Sequence, residues 1–182
     1  MRIIVTLDEF VTQLECFPYG VGHADEGVCL LVQMGPYRIL LDCGLPDISP
    51  LTSAKKPPAE VVLCSHAHAD HARGLLTLHQ SFPQLPIYAS ELTTQLLPLN
   101  WLNQPKQEAQ FAHALPWRSP VEFQDGLTVQ LFPAGHLPGA AVTLLTYTPP
   151  PEVGARSSTV LYTGDCFLSN SRLVEGLRLE EL

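Results

Sequence analysis

No apolar run in this chain approaches the length of a membrane-spanning helix, and its cysteines form no recognisable staple. The five of them, Cys16, Cys29, Cys43, Cys64 and Cys166, are odd in number, scattered and without a Cys-x-x-Cys pair. That argues against a disulfide framework and for a reducing cytosol. Basic residues are scarce as well. Ten Lys and Arg stand against eighteen Asp and Glu, a net charge of -8, so no broad basic face is available to grip a polyanion unaided. A phosphate-bearing substrate would need metal charge or another domain. Met1-Arg2-Ile3-Ile4-Val5 meets Asp8 and Glu9 too soon for a secretory signal. The expectation is a cytoplasmic protein with no membrane partner.

Apolar material is plentiful: 46% of the residues are hydrophobic and 15% charged. This is enough for one substantial core, so residues 1–182 are expected to form one domain. Met1 to Phe17 reads as one or two strands, and Gly20 to Gly27 as a loop carrying His23, Asp25 and Glu26. Val28 to Val32 and Arg38 to Asp42 flank Gly35-Pro36 as a hairpin. Four prolines between Pro46 and Glu60 allow at most a short helix.

Val61-Val62-Leu63 reads as a strand, and a helix is predicted over Asp70 to Gln80, its buried side supplied by Leu75, Leu76 and Leu78. Leu85 to Ala89 is a further strand, after which Ser90 is a good N-cap for a helix over Glu91 to Leu97. Strand followed by helix, twice, marks an α/β layer. Pro98 to Pro120 reads as a loop with one short helix at Pro105 to His113. Beyond it Val121 to Phe123, Leu127 to Phe132, Ala141 to Tyr147 and Thr159 to Tyr162 form a second sheet.

Between the Val61 strand and its helix lies Cys64-Ser65-His66-Ala67-His68-Ala69-Asp70-His71, three imidazoles and a carboxylate within six residues. A buried strand end fixes the loop backbone, so His66 and His68 can share one metal while Asp70 and His71 address a neighbouring one. Two adjacent metals suit hydrolysis, because they activate a water and hold both attacking and leaving oxygens. The bland alternative is a polar capped helix start. With seven histidines in the chain, the pattern His-x-His-x-Asp-His would arise by accident in about one such chain in a thousand.

This segment resembles the signature of the metallo-β-lactamase fold. Leu40-Leu41-Asp42-Cys43-Gly44, Ala134-Gly135-His136-Leu137-Pro138-Gly139-Ala140-Ala141 and Leu161-Tyr162-Thr163-Gly164-Asp165 match further motifs in the family's order. The resemblance implies an αβ/βα sandwich of two mixed sheets with outer helices. It implies that His136 completes a three-histidine face with His66 and His68, and that Asp165 bridges to a second metal held with Asp70 and His71. Asp42 would support the site by orienting a ligating histidine. Asp70 and Asp42 are the catalytic candidates, and two divalent ions, zinc first, the expected cofactors. His23 and His113 lack a motif and are not placed among the ligands.

The motifs from Ala134 onward, with Ser169-Asn170, are most similar to the β-CASP branch, the nucleases that include RNase J and the polyadenylation endonuclease. That implies RNA or DNA phosphodiester cleavage by metal-activated hydroxide. In that branch a later region supplies one more metal-binding histidine. No histidine follows His136 here, so the C-terminal part is expected to be incomplete, with a β-CASP region or second chain as the completing partner. Two alternatives stand beside this: a glyoxalase II- or lactonase-like hydrolase of a small thioester or ester, and an incomplete domain kept for binding a partner, with Leu177 to Leu182 in the contact.

Overall fold

A computed structural model describes residues 3–4, 14–23, 25–105 and 108–182. In chain order it has β1 (Ile3–Ile4), β2 (Leu14–Val21), β3 (Val28–Met34), β4 (Tyr37–Leu41), α1 (Ser49–Thr52), β5 (Val61–Leu63), α2 (Ala69–Ala72), α3 (Leu75–Ser81), β6 (Ile87–Ser90) and α4 (Glu91–Leu96). After these come β7 (His113–Leu115), β8 (Val121–Gln124), β9 (Leu127–Pro133), β10 (Ala141–Tyr147) and β11 (Ser158–Tyr162). Among the described residues the strands make a seven-stranded sheet in the order β1 to β7 and a four-stranded sheet in the order β11-β10-β9-β8.

The apolar runs explain the layering. Side chains alternate across a strand, and in β4 and β5 both faces are buried. Leu40 and Val62 point into a cluster with Leu51, Leu75, Leu78 and Leu97 from the helical side. Ile39, Leu41, Val61 and Leu63 point the other way, onto Leu127, Val129, Leu131 and Leu145 of the second sheet. Strands covered on both sides read as continuous hydrophobic stretches, as these do. A third cluster gathers Phe132, Ala134, Ala140 and Val142 beneath Leu177.

The sandwich is therefore as expected, with four differences in detail. The first sheet is mixed, its β1 to β4 antiparallel and β4 to β7 parallel. The ladders of the second are all antiparallel, with one isolated parallel bridge from Trp117 to Leu131. Its connections are too short for the crossover that parallel pairing needs. All four described α-helices precede β7, so the second helical layer is not among the described residues.

The helix predicted over Asp70 to Gln80 is instead two, α2 and α3, broken at Arg73-Gly74. Gly74 donates its N–H to the Cys43 carbonyl at 2.8 Å, not to the preceding turn. A Cβ there would lie 2.6 Å from Ile48 and 2.9 Å from the Cys43 oxygen. Tertiary packing takes the hydrogen bond a continuous helix would need.

The helix predicted at Pro105 to His113 is replaced by a turn and the edge strand β7, which pairs parallel with β6; residues 106–107 lie outside the described residues. Residues 5–13 of the N-terminal strand prediction lie outside them too. Strand β2 runs on past Phe17 to Val21, into the loop predicted from Gly20, because it pairs with β3 as far as Val28; the other strands, the short α1 and the Ser90 cap of α4, whose side chain accepts from Thr93 N–H, fall where the sequence puts them.

Candidate metal centre

Five chain segments meet where strands of both sheets end. Asp42 follows β4, the loop Ser65 to His71 follows β5, His136 follows β9, and Asp165 follows β11. The Ala141 N–H at the start of β10 donates to the Ser65 carbonyl at 2.9 Å. Residues far apart in sequence thus face one mouth. Its floor is buried, with Asp42, Ser65, His66 and His71 all shielded from solvent; its outer edge, His68, Asp70 and Asp165, is open to solvent.

Asp42 organises the floor. It has a left-handed backbone, φ +58°, a conformation aspartate tolerates better than most residues, and no exposure at all. Its Oδ1 accepts the Ser65 N–H at 2.6 Å. Its Oδ2 accepts the Ser65 hydroxyl at 2.7 Å, His71 Nδ1 at 2.6 Å and the Tyr162 hydroxyl. These bonds set the tautomers. His71 gives its Nδ1 proton to Asp42 and leaves Nε2 bare. Ser65 gives its proton to Asp42 and so accepts from His66 Nδ1 at 3.0 Å, leaving His66 Nε2 bare as well. Burial, then repulsion from the His71 ring, pull His66 down to about 4, so its imidazole is neutral at neutral pH. Burial also pulls His71 down, but the Asp42 hydrogen bond and charge more than offset it and the net shift is upward. Burial, then the Asp42 charge, push the Tyr162 hydroxyl far above its ordinary value and keep it a donor.

Three imidazoles and a carboxylate converge beside this floor. His66 Nε2 and His136 Nε2 each lie 3.2 Å from His68 Nδ1. Asp165 Oδ2 lies 3.5 Å from His136 Nε2 and 4.0 Å from His66 Nε2. All four ligand atoms fall within 4.8 Å of one another. Tetrahedral zinc with bonds of roughly 2.0–2.1 Å sets its ligands about 3.3 Å apart. One nitrogen of His68 carries a single proton or a single lone pair, and can satisfy only one of its two imidazole neighbours; a cation satisfies all three. The donor set therefore fits a divalent ion.

The other oxygen of Asp165 turns toward His71, with Oδ1 3.6 Å from His71 Nε2, and Asp70 Oδ2 lies 3.8 Å from the same nitrogen. The structure thus brings together all six residues expected around the metals, with Asp42 directly behind them. Asp42 is sealed in the floor and reaches the mouth through His71, Ser65 and Tyr162. His23 is exposed on the Gly22–Gly27 turn. His113 sits on β7 against Tyr88 at 5.4 Å, and His79 stacks on Phe111 at 4.9 Å; neither joins the cluster.

Three supporting residues carry no sequence signal of their own. Ser65 and Tyr162 are hydroxyls that matter only because the fold brings them to Asp42. Asn100 donates to the Ala67 carbonyl at 2.9 Å and so braces the turn between His66 and His68.

Residues 37–178 match the family model described as the beta-lactamase superfamily domain. The chain belongs to the beta-lactamase superfamily. It is 51% identical, over 98% of its length, to the uncharacterised protein sll0514 of Synechocystis, and covers 31% of that protein. It is 28% identical, over 83% of its length, to the probable RNase MJ4 of Methanocaldococcus jannaschii, and covers 38% of it. The chain thus spans about a third of the length of these curated relatives. The metallo-β-lactamase fold protein YhfI of Bacillus subtilis superposes with a TM-score of 0.58 at 23% identity, over 84% of this chain and 62% of that one. The fold is that of the metallo-β-lactamases, and the relatives include ribonucleases of the kind the motifs resemble.

Proposed function

We propose that the chain is a dinuclear metal-dependent hydrolase that cleaves phosphodiesters of RNA or DNA. The observation that carries this is the convergence of His66, His68 and His136 with Asp165, whose second oxygen is directed at His71. In this reading His66, His68, His136 and Asp165 hold one ion, and Asp70, His71 and Asp165 the other. Bound there, a pair of divalent ions, zinc by the imidazole-rich donor set, supplies water activation at neutral pH and neutralises charge on the scissile phosphate.

The chain's own residues do the rest. Asp42 holds the His71 tautomer and Ser65 the His66 tautomer, so both present Nε2 without rearrangement. The buried floor keeps stray water from that side, while the exposed carboxylates of Asp70 and Asp165 face the side from which substrate and water arrive. Asp70 is the residue at the mouth best placed to take or return a proton.

The nucleic-acid substrate is supported by the ribonuclease relative and by the β-CASP-like motifs. Because the chain is acidic, with a net charge of -8, a further polypeptide region or a second chain is part of the proposal as the source of basic groups and of a last ligand. No helix among the described residues is long and apolar enough to cross a membrane. With five free cysteines, a cytoplasmic setting is proposed. The same acidity favours a second reading, a small neutral thioester or lactone. Purified protein loaded with zinc or manganese is assayed on RNA, single-stranded DNA, a thioester and a lactone. RNA or DNA cleavage lost in His68→Ala supports the nuclease; turnover of the small esters alone favours the second reading, and activity unchanged in His68→Ala overturns the site.

A further inference from the structure

Each half of the metal centre comes from a different sheet. Asp42, Ser65, His66, His68, Asp70 and His71 hang from the first sheet, His136 and Asp165 from the second. Besides the ligands themselves, three contacts made by Ser65 and Asp42 tie the halves together at the mouth. One is the Ala141 N–H to Ser65 carbonyl bond at the start of β10. Another is the packing of Gly164, φ +50°, against Ser65, where an added Cβ would lie 2.8 Å from the serine Cβ. The last is the hydrogen bond from the Tyr162 hydroxyl to Asp42 Oδ2, spanning 120 positions of sequence.

Tyr162 is the final residue of β11, in register with Thr143 of β10, and only Thr163 and Gly164 separate it from Asp165. The Thr163 hydroxyl is spent locally on the Gly164 carbonyl at 3.0 Å. The Tyr162 hydroxyl is thus the polar side-chain group nearest in sequence before Asp165 that reaches the first sheet.

We infer that Tyr162 is a positioning residue that registers Asp165 and His71 against each other and thereby sets the affinity of the second metal position. The inference rests on the two-ion reading above. Of the three residues assigned to that position, two depend on the tyrosine: Asp165 through the chain, and His71 through their shared acceptor, Asp42 Oδ2. The first position has four ligands and shares only Asp165 with the second: His68 and His136 make no contact with Tyr162, and His66 meets Asp42 Oδ2 only at one remove, through Ser65. Removing the hydroxyl should weaken the two positions unequally.

The test is a titration of metal-free wild type, Tyr162→Phe and Leu161→Ala with zinc in competition with a chelator, alongside the thermal midpoint of each metal-free form. Leu161 is the neighbouring exposed side chain on the same strand and controls for damage to β11. The expected result is two binding steps in wild type and in Leu161→Ala. In Tyr162→Phe the weaker step should fall about 10- to 100-fold, the range for residues that orient ligands, with the tighter step little changed.

Equal loss in both steps, or the same loss in Leu161→Ala, would assign the tyrosine a merely structural role and overturn the inference, as would two unchanged steps in Tyr162→Phe. A wild type that takes up no zinc overturns the two-ion reading and the inference with it. A further readout needs no variant: the Tyr162 hydroxyl proton, held on the buried Asp42 and followed by NMR, should shift with the second zinc equivalent, and a resonance indifferent to both equivalents contradicts the idea.

Discussion

Replacing Asp42 by asparagine removes the charge from the most deeply buried group of the metal centre while leaving its shape and its backbone tolerated, since asparagine adopts the left-handed region as readily as aspartate does. Four donors converge on the carboxylate, one on Oδ1 and three on Oδ2. The amide oxygen can replace Oδ2, which puts the NH2 against the Ser65 N–H and leaves a buried donor facing a donor, at about 1–3 kcal/mol. The three bonds that remain lose their charge assistance, which is about half their strength.

Together these give on the order of 2–5 kcal/mol, a large share of the roughly 5–15 kcal/mol available to a domain of this kind, and a lowering of the thermal midpoint by on the order of 5–15 °C. The same substitution holds the His71 ring by a weaker, uncharged hydrogen bond and should cut metal affinity about 10- to 100-fold. Urea denaturation of the metal-free protein and chelator competition measure the two effects separately. A variant with wild-type stability and wild-type metal affinity would refute the reasoning, because it would mean that the four donors do not need a carboxylate.

Two further expectations concern the fold. Leu78→Ala, at a fully buried position between α3 and the first sheet, should destabilise by about 2–5 kcal/mol through the cavity it leaves, measured by urea midpoint. Stability should also fall on the alkaline side. The hydrogen bond with Cys43 and then burial raise Cys29, and burial followed by the Asp42 charge raises both Cys64 and Tyr162. Raised native values mean that the contribution is present in full below the unfolded values, near 8.5 for thiols and 10 for the phenol, and is lost as pH climbs beyond them. A denaturation series from pH 7 to 10.5 should therefore decline from about pH 8.5; a flat profile would contradict the burial of these groups.

Much of this was legible from residues alone because the informative signals were local. Val61-Val62-Leu63 gave a strand buried on both faces, Ser90 a cap, and His66 to His71 a ligand loop, each within a few positions of chain. What escaped depends on distant partners. The break between α2 and α3 arises because Cys43 takes the Gly74 N–H, which no periodicity records. Strand β7, His113–Leu115, is three residues long and shows no alternation; only its pairing with β6 makes it a strand. Ser65 and Tyr162 are common hydroxyl residues whose importance comes from meeting Asp42.

Crystals of the zinc-loaded protein, measured at the zinc absorption edge, test the shared metal centre most directly. One anomalous peak is expected within bonding distance, roughly 2.0–2.1 Å, of His66 Nε2, His68 Nδ1 and His136 Nε2, with a second beside His71 Nε2 and Asp165 between them. Zinc found only at isolated surface histidines such as His23 or His113, with this cluster empty, would contradict it.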